Sequence, residues 1–142
     1  MRHQVTVISM YTVAQWAIPQ LLELADYDFY KPSFLVTSGS ICQDPFPEFF
    51  SLSACKAAQY NMVTSFYKVY SDLGVHCGLV VVGGRLRDQT INCNASDVAT
   101  KTWDLYCQPK GEYAKEITLL HPGDEQTRAT REDPEQLVRD AS

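Results

Sequence analysis

Val75-His76-Cys77-Gly78-Leu79-Val80-Val81-Val82-Gly83-Gly84 is an apolar run closed by a pair of glycines. A continuous run without polar alternation is the pattern of a parallel strand covered on both faces. Parallel strands need crossover connections, so helices are expected on either side of it in sequence. Upstream, Ala54, Ala57, Ala58, Met62, Phe66, Val69, Tyr70 and Leu73 predict a helix over Ser53–Leu73, started by Ser51 or Ser53 as cap and stopped at Gly74. Small residues crowd its first half, so another backbone can approach there. Asp44-Pro45-Phe46-Pro47 excludes regular structure before it. Ser33 to Thr37 reads as a short strand ending in Ser38-Gly39-Ser40.

Further upstream, Val5, Ile8, Val13, Trp16, Ala17, Leu21 and Leu24 form one helical stripe, and Val7, Met10, Tyr11, Ala14 and Ile18 cover much of the remainder. A helix this apolar is expected to be buried on two sides, with Pro19 bending its last turns. Downstream, Asn94 or Ser96 opens a third helix to about Cys107, and Glu116 to Leu120 is a third strand. Strand, helix, strand, helix, strand is an α/β pattern: three parallel strands with helices on both faces. Residues 1–120 form one domain; from His121 the chain is polar and reads as a mobile tail, 121–142.

The chain has 142 residues, 45% hydrophobic and 20% charged, enough for one domain and its core. A net charge of -5 with scattered basic residues argues against nucleic acid and against a polybasic membrane anchor. Gln4, Gln15, Gln20 and Glu23 interrupt the most apolar helix, so no membrane span is expected. Five cysteines without a C-x-x-C or a secretory signal indicate free thiols and a cytoplasmic protein. His3, His76 and His121 lie far apart, outside any local ligand pattern, so no metal is expected. Asn94-Ala95-Ser96 reads better as helix capping than as a glycosylation acceptor. Cys77 reads as a small core residue, and Trp16 and Trp103 as packing residues.

Taken in order, Phe34-Leu35-Val36-Thr37-Ser38-Gly39-Ser40, Pro45-x-Pro47, Phe50 to Ala58 with Lys56, and Val75 to Gly84 carry a resemblance. The chain resembles the C-terminal half of a short-chain dehydrogenase/reductase, more closely the fungal members, from about Val5 to Leu120. The resemblance implies a partial Rossmann-like fold and an NAD(P)-dependent oxidoreductase of carbonyls or alcohols, in fungal secondary metabolism. It places Ser38 at the catalytic serine, Lys56 at the lysine that holds the nicotinamide ribose, and Gly83, Gly84 and Asp88 beside the nicotinamide. It also implies a homo-oligomer through the helices 5–24 and 53–73.

The departures are in the chemistry. Four residues before Lys56 the family has its catalytic tyrosine, and here stands Leu52. Thr6 replaces the asparagine of the proton relay, and Asp88 stands where a threonine often meets the carboxamide. Tyr60 is on the stripe of Lys56 but four residues after it, ~12 Å along the helix from the required position. The glycine-rich turn that seats the pyrophosphate has no counterpart, because the chain starts where the family's domain is half complete. NAD(P) is therefore not expected to bind this chain alone. Ser38 retains a chemical role or bonds its own loop; Lys56 reaches cofactor or extends to solvent along its helix. Three readings stay open: an oxidoreductase, a catalytically silent association module, and a truncated sequence. In the family's strand order the strand at Ser33–Thr37 is flanked by one from the N-terminal half, so without that half it is expected to have an exposed edge.

Overall fold

A computed structural model describes residues 4–84 and 94–120. The tail from His121 and the Asp88 position lie outside the described residues. Three strands, β1 (Ser33–Gly39), β2 (His76–Gly83) and β3 (Glu116–Leu120), form a parallel sheet in the order β1-β2-β3. Ser33 pairs with His76 and Gly39 with Val82, while Leu79 pairs with Glu116 and Gly83 with Leu120. α1 (Ser9–Leu24) and α2 (Phe50–Tyr70) cover one face and α3 (Ala95–Tyr106) the other. This is the expected α/β architecture, with β2 central and buried.

Alternation along the strands divides the core between the two faces. Towards α1 and α2, Val63, Leu79 and Val81 pack with Met10 and Cys42, while Val75 and Cys77 pack with Ala14 and Ile18. Towards α3, Val80 and Leu119 close on Leu105. Gly78 lets Leu105 reach the sheet: a Cβ there would lie 3.3 Å from Leu105 Cδ2 and 3.2 Å from His76 Nε2. Burial raises the Cys77 thiol to about 12, consistent with its reading as a core residue. Cys42, Cys55, Cys77 and Cys107 are free thiols.

The first helix differs from its sequence reading. A π-helical turn, Gln4–Ile8, leads into α1, which continues through Pro19 to Leu24. It is buried on one side only. Met10, Ala14 and Ile18, at four-residue steps, face the core, whereas Val5, Ile8, Val13 and Trp16 are exposed, Trp16 by 70%. Hydrophobicity alone does not set the phase of a helix that is apolar all round; the face that turns inwards is the one whose Ala14 and Ile18 pack on Val75 and Cys77. Val5–Leu24, 20 residues of mean hydropathy 1.2, is also long and apolar enough to cross a membrane by length and composition, contrary to the expectation from its polar interruptions.

The second helix starts earlier than expected and without a serine cap. Pro47 opens a 3-10 turn, Pro47–Phe49, that delivers the chain into α2 at Phe50 already helical. Its fixed φ suits the first helical position, so neither Ser51 nor Ser53 is needed as cap. α2 ends at Tyr70, and the turn closes at Gly74, where φ is +87° and a Cβ would meet Lys110 Cε at 2.8 Å. For α3 the cap is Asn94, whose side chain accepts from the Asp97 N–H. Trp103 is exposed, as is Trp16, so neither is a core residue.

Two lysines tie the end of the sheet where β1 and β2 begin. Lys110 Nζ donates to the Ala25 carbonyl at 2.7 Å, closing the C-terminus of α1, and Lys31 Nζ donates to the Cys107 carbonyl at 2.9 Å, closing that of α3. A cation at a helix C-terminus satisfies unpaired carbonyls and complements the helix dipole.

Candidate site at the carboxyl ends of the strands

Parallel sheets expose their loops at the carboxyl ends of the strands, and ligands bind there in open α/β folds. Ser38 lies at that end of β1, in register with Val81, and Gly83 ends β2. Ser38 is 7% exposed, and its hydroxyl has the Cys42 thiol as its neighbour in the loop that follows β1. Beside it lies Cys42, in the 3-10 turn Ser40–Cys42. Burial pushes the Cys42 thiol up, partly offset by the adjacent Ser38 hydroxyl and by the charge of Lys56, while Glu116 pushes it further up. The thiol is thus kept protonated and is a poor nucleophile.

Lys56 sits in the second turn of α2, half-buried, one turn after the half-buried Leu52. It does not simply extend to solvent: Nζ donates to the buried Gln59 Oε1 at 3.0 Å. Thr6 lies in the π-helical turn before α1. The chain therefore brings together Ser38, Cys42 and Lys56, but offers no phenol at the position of Leu52. General acid catalysis requires a proton donor within hydrogen-bond reach of the reacting oxygen, which leucine does not supply.

Tyr60, on the stripe of Lys56, is bonded to other partners. Its hydroxyl accepts from Lys115 Nζ at 2.6 Å; Lys115 pairs with Glu116 at 3.4 Å, and Gln43 Nε2 donates to Glu116 Oε1 at 3.1 Å. The Tyr60 hydroxyl raises the pKa of Lys115, outweighing the lowering by partial burial, and Glu116 adds to the rise. Burial would raise that of Glu116, but Tyr60, Gln43 and Lys115 together hold it below the usual carboxylate value. Sequence reading missed this group because its members come from a loop, α2 and the start of β3. The adjacent Lys115-Glu116 before an apolar strand was its only local trace.

The resemblance implies NAD(P), whose pyrophosphate needs a glycine-rich turn and a helix N-terminus free to accept negative charge. α2 and α3 each follow a strand. Glu48 occupies the 3-10 turn before α2, and Asp97 the first turn of α3, where Asn94 already caps the helix. Both acids oppose a phosphate. Gly83 is a packing glycine: a Cβ there would come within 2.6 Å of Leu120 Cδ2 and 3.2 Å of the Leu119 carbonyl. Gly84 is exposed at φ +108°. The described residues do not fit the cofactor's phosphates.

No family model and no curated protein matches the sequence. Among solved structures, the chain is similar to a short-chain dehydrogenase from Rhodopseudomonas palustris, with 14% sequence identity and a TM-score of 0.67. The match covers 83% of this chain and 49% of that one, so the chain spans about half the length of the dehydrogenase it resembles. What the likeness shows is the fold: three parallel strands and their helices in the Rossmann-like α/β arrangement of a short-chain dehydrogenase.

Proposed function

We propose that this chain is a short-chain dehydrogenase/reductase-like protein that does not reduce carbonyls by itself and acts as an association module. One observation carries the first half: Lys56 is bonded to Gln59 and faces Leu52, so the proton donor that the family's chemistry requires has no substitute. The second half is supported by the exposed Val5 and Ile8 of the π-helical turn and Val13 and Trp16 of α1. The partner is a second copy of the chain, in the cytoplasm, with neither membrane nor nucleic acid involved. Sedimentation tests this. The wild type should form a concentration-dependent dimer and Val13→Glu should be monomeric; a wild type that stays monomeric at all concentrations, or that moves into added lipid vesicles, contradicts the reading.

A second reading is favoured by the buried Ser38 hydroxyl at the carboxyl end of β1, which has only the Cys42 thiol beside it and can turn to donate to a substrate oxygen. Here the chain is part of an oxidoreductase, of fungal type by resemblance, and NAD(P) is bound by polypeptide outside the described residues. Mixing with the cofactor-binding half of a dehydrogenase of the same fold, followed by NADPH titration, separates the two readings. Cofactor binding by the mixture supports the second.

A further inference from the structure

His76 is a buried titratable group that neither reading uses. It opens β2 on the α3 side of the sheet, and its ring stacks on that of Tyr113 with centroids 4.4 Å apart and planes at 8°. Nε2 lies 2.9 Å from the Ala114 carbonyl, which can only accept, so Nε2 carries the hydrogen of the neutral ring. Nδ1 is then the bare nitrogen, buried and without a hydrogen-bond partner among the described residues. Both contacts go to one irregular strap, residues 108–114, between α3 and β3. The strap is tied down by side chains. The Tyr67 hydroxyl of α2 donates to the Tyr113 carbonyl at 2.8 Å, and Lys110 Nζ reaches the Ala25 carbonyl at the end of α1. At Lys115 the chain is fixed again, since its carbonyl accepts from the Leu79 N–H at 2.9 Å.

We propose that His76 is a proton-operated latch: a ring that takes up a proton turns out of its site and releases the strap 108–114, while β2 and its neighbouring strands stay paired. A proton on Nδ1 creates a second N–H that has no acceptor in the closed site, and an unpaired donor on a charged ring is unfavourable to bury. The face of Tyr113 attracts a cation but supplies no acceptor. Turning out brings Nδ1–H to water, and it breaks the Ala114 bond and the Tyr113 stack, which hold the strap to β2. The surrounding groups leave the proton to His76. At Gly78 the ring's neighbours are Leu105 of α3 and Leu35 of β1, both apolar, and α2 brings the phenol of Tyr67, committed as a donor. Cys77, next on β2, titrates at about 12. Of the nearby charges, Glu112 is exposed, Lys110 and Lys31 are bonded to the Ala25 and Cys107 carbonyls, and Lys115 is engaged with Tyr60 and Glu116. Lifting the strap also takes Lys110 off the end of α1.

The test is amide hydrogen exchange of the full chain from pH 8 to 5, corrected for the pH dependence of the intrinsic rate, with the ring resonances of His76 and Tyr113 followed in the same samples. One proton taken up on opening makes the opening constant rise by up to about tenfold per pH unit, from pH 6.5 down to the lower pKa of the closed ring. The Ala114 amide should lose protection by about threefold or more, and the Tyr113 ring should shift with the midpoint of His76. The Val80 and Val81 amides of β2 should keep their protection, as expected of a local opening. His76→Phe and His76→Gln, neither of which titrates, should abolish the pH dependence at Ala114; if neither variant folds, the wild-type midpoints decide. Three results overturn the proposal: strap protection that does not change while His76 titrates, loss of the Ala114 and β2 amides together, or a pH dependence that survives in either variant.

Discussion

Lys115 Nζ stands 2.6 Å from the Tyr60 hydroxyl, joining the middle of α2 to the start of β3 across 55 residues of sequence. Tyr60 is the tyrosine nearest to Lys56 on their shared helical stripe, and this bond engages its hydroxyl with Lys115, beside the start of β3. The contact is thus a structural tie that occupies the phenol nearest to Lys56. Tyr60→Phe should cost about 1–2 kcal/mol in urea unfolding, because it leaves the half-buried Lys115 with one partner fewer. It should also lower the pKa of Lys115, followed by the resonance of its side chain. An unchanged midpoint and an unchanged titration would remove the tie.

His76 gives the fold a pH dependence. The ring is 1% exposed and stacks on Tyr113 at 4.4 Å; Nε2 meets the Ala114 carbonyl at 2.9 Å and Nδ1 has no partner among the described residues. Burial lowers its pKa below 6.5, with the Ala114 carbonyl opposing in part. The unfolded chain therefore binds the proton more readily, and stability present above pH 6.5 is lost as the pH falls from there towards the folded pKa. Unfolding free energies measured from pH 8 to 5 should decline over that interval. The decline should be absent in His76→Phe, and persistence of the slope in that variant would assign it to another group.

Packing around Gly83 predicts a large effect from a small change. Gly83→Ala drives a methyl group into Leu120 Cδ2 and against the Leu119 carbonyl, and the latter is backbone that cannot step aside. Overpacking of this kind costs about 1–3 kcal/mol. Gly39→Ala, at the same end of β1, would meet nothing nearer than the Val82 carbonyl at 3.7 Å and should leave the thermal midpoint close to that of the wild type. Equal effects of the two would contradict the assignment of Gly83 to packing.

The strands were legible because their signals are local. Glu116–Leu120 is bounded as read, and β2 and β1 differ from their readings only at the ends, since a buried parallel strand announces itself by an unbroken apolar run. Asn94 was legible as a cap for the same reason. The exposed side of α1 was not: apolar residues lie on every side of it, and only the packing of Ala14 and Ile18 on Val75 and Cys77 decides which side turns inwards. Ser38 and Lys56 could be placed by spacing, but the bonds that define the site cross the fold. Gln59 takes the ammonium of Lys56, and Cys42 lies beside Ser38.

Restoring the family's tyrosine is a sharper test of the chemistry than removing a residue. Leu52→Tyr places a phenol four residues before Lys56, and Leu52→Tyr with Gln59→Ala also frees the ammonium. Neither variant should oxidise NADPH with small ketones or quinones as acceptors, because the described residues offer no seat for the phosphates. Turnover by the single variant would show that a cofactor site exists in the chain and that leucine alone silences it.

The central claim is that this fold of a short-chain dehydrogenase does not by itself bind the nicotinamide cofactor, and a titration of the purified 142-residue chain with NADPH, followed by nicotinamide fluorescence, tests it most directly. The account predicts a dissociation constant no tighter than about 1 mM. Saturable binding in the micromolar range would contradict it, because the acids at the starts of α2 and α3 and the packing of Gly83 would then coexist with a phosphate site.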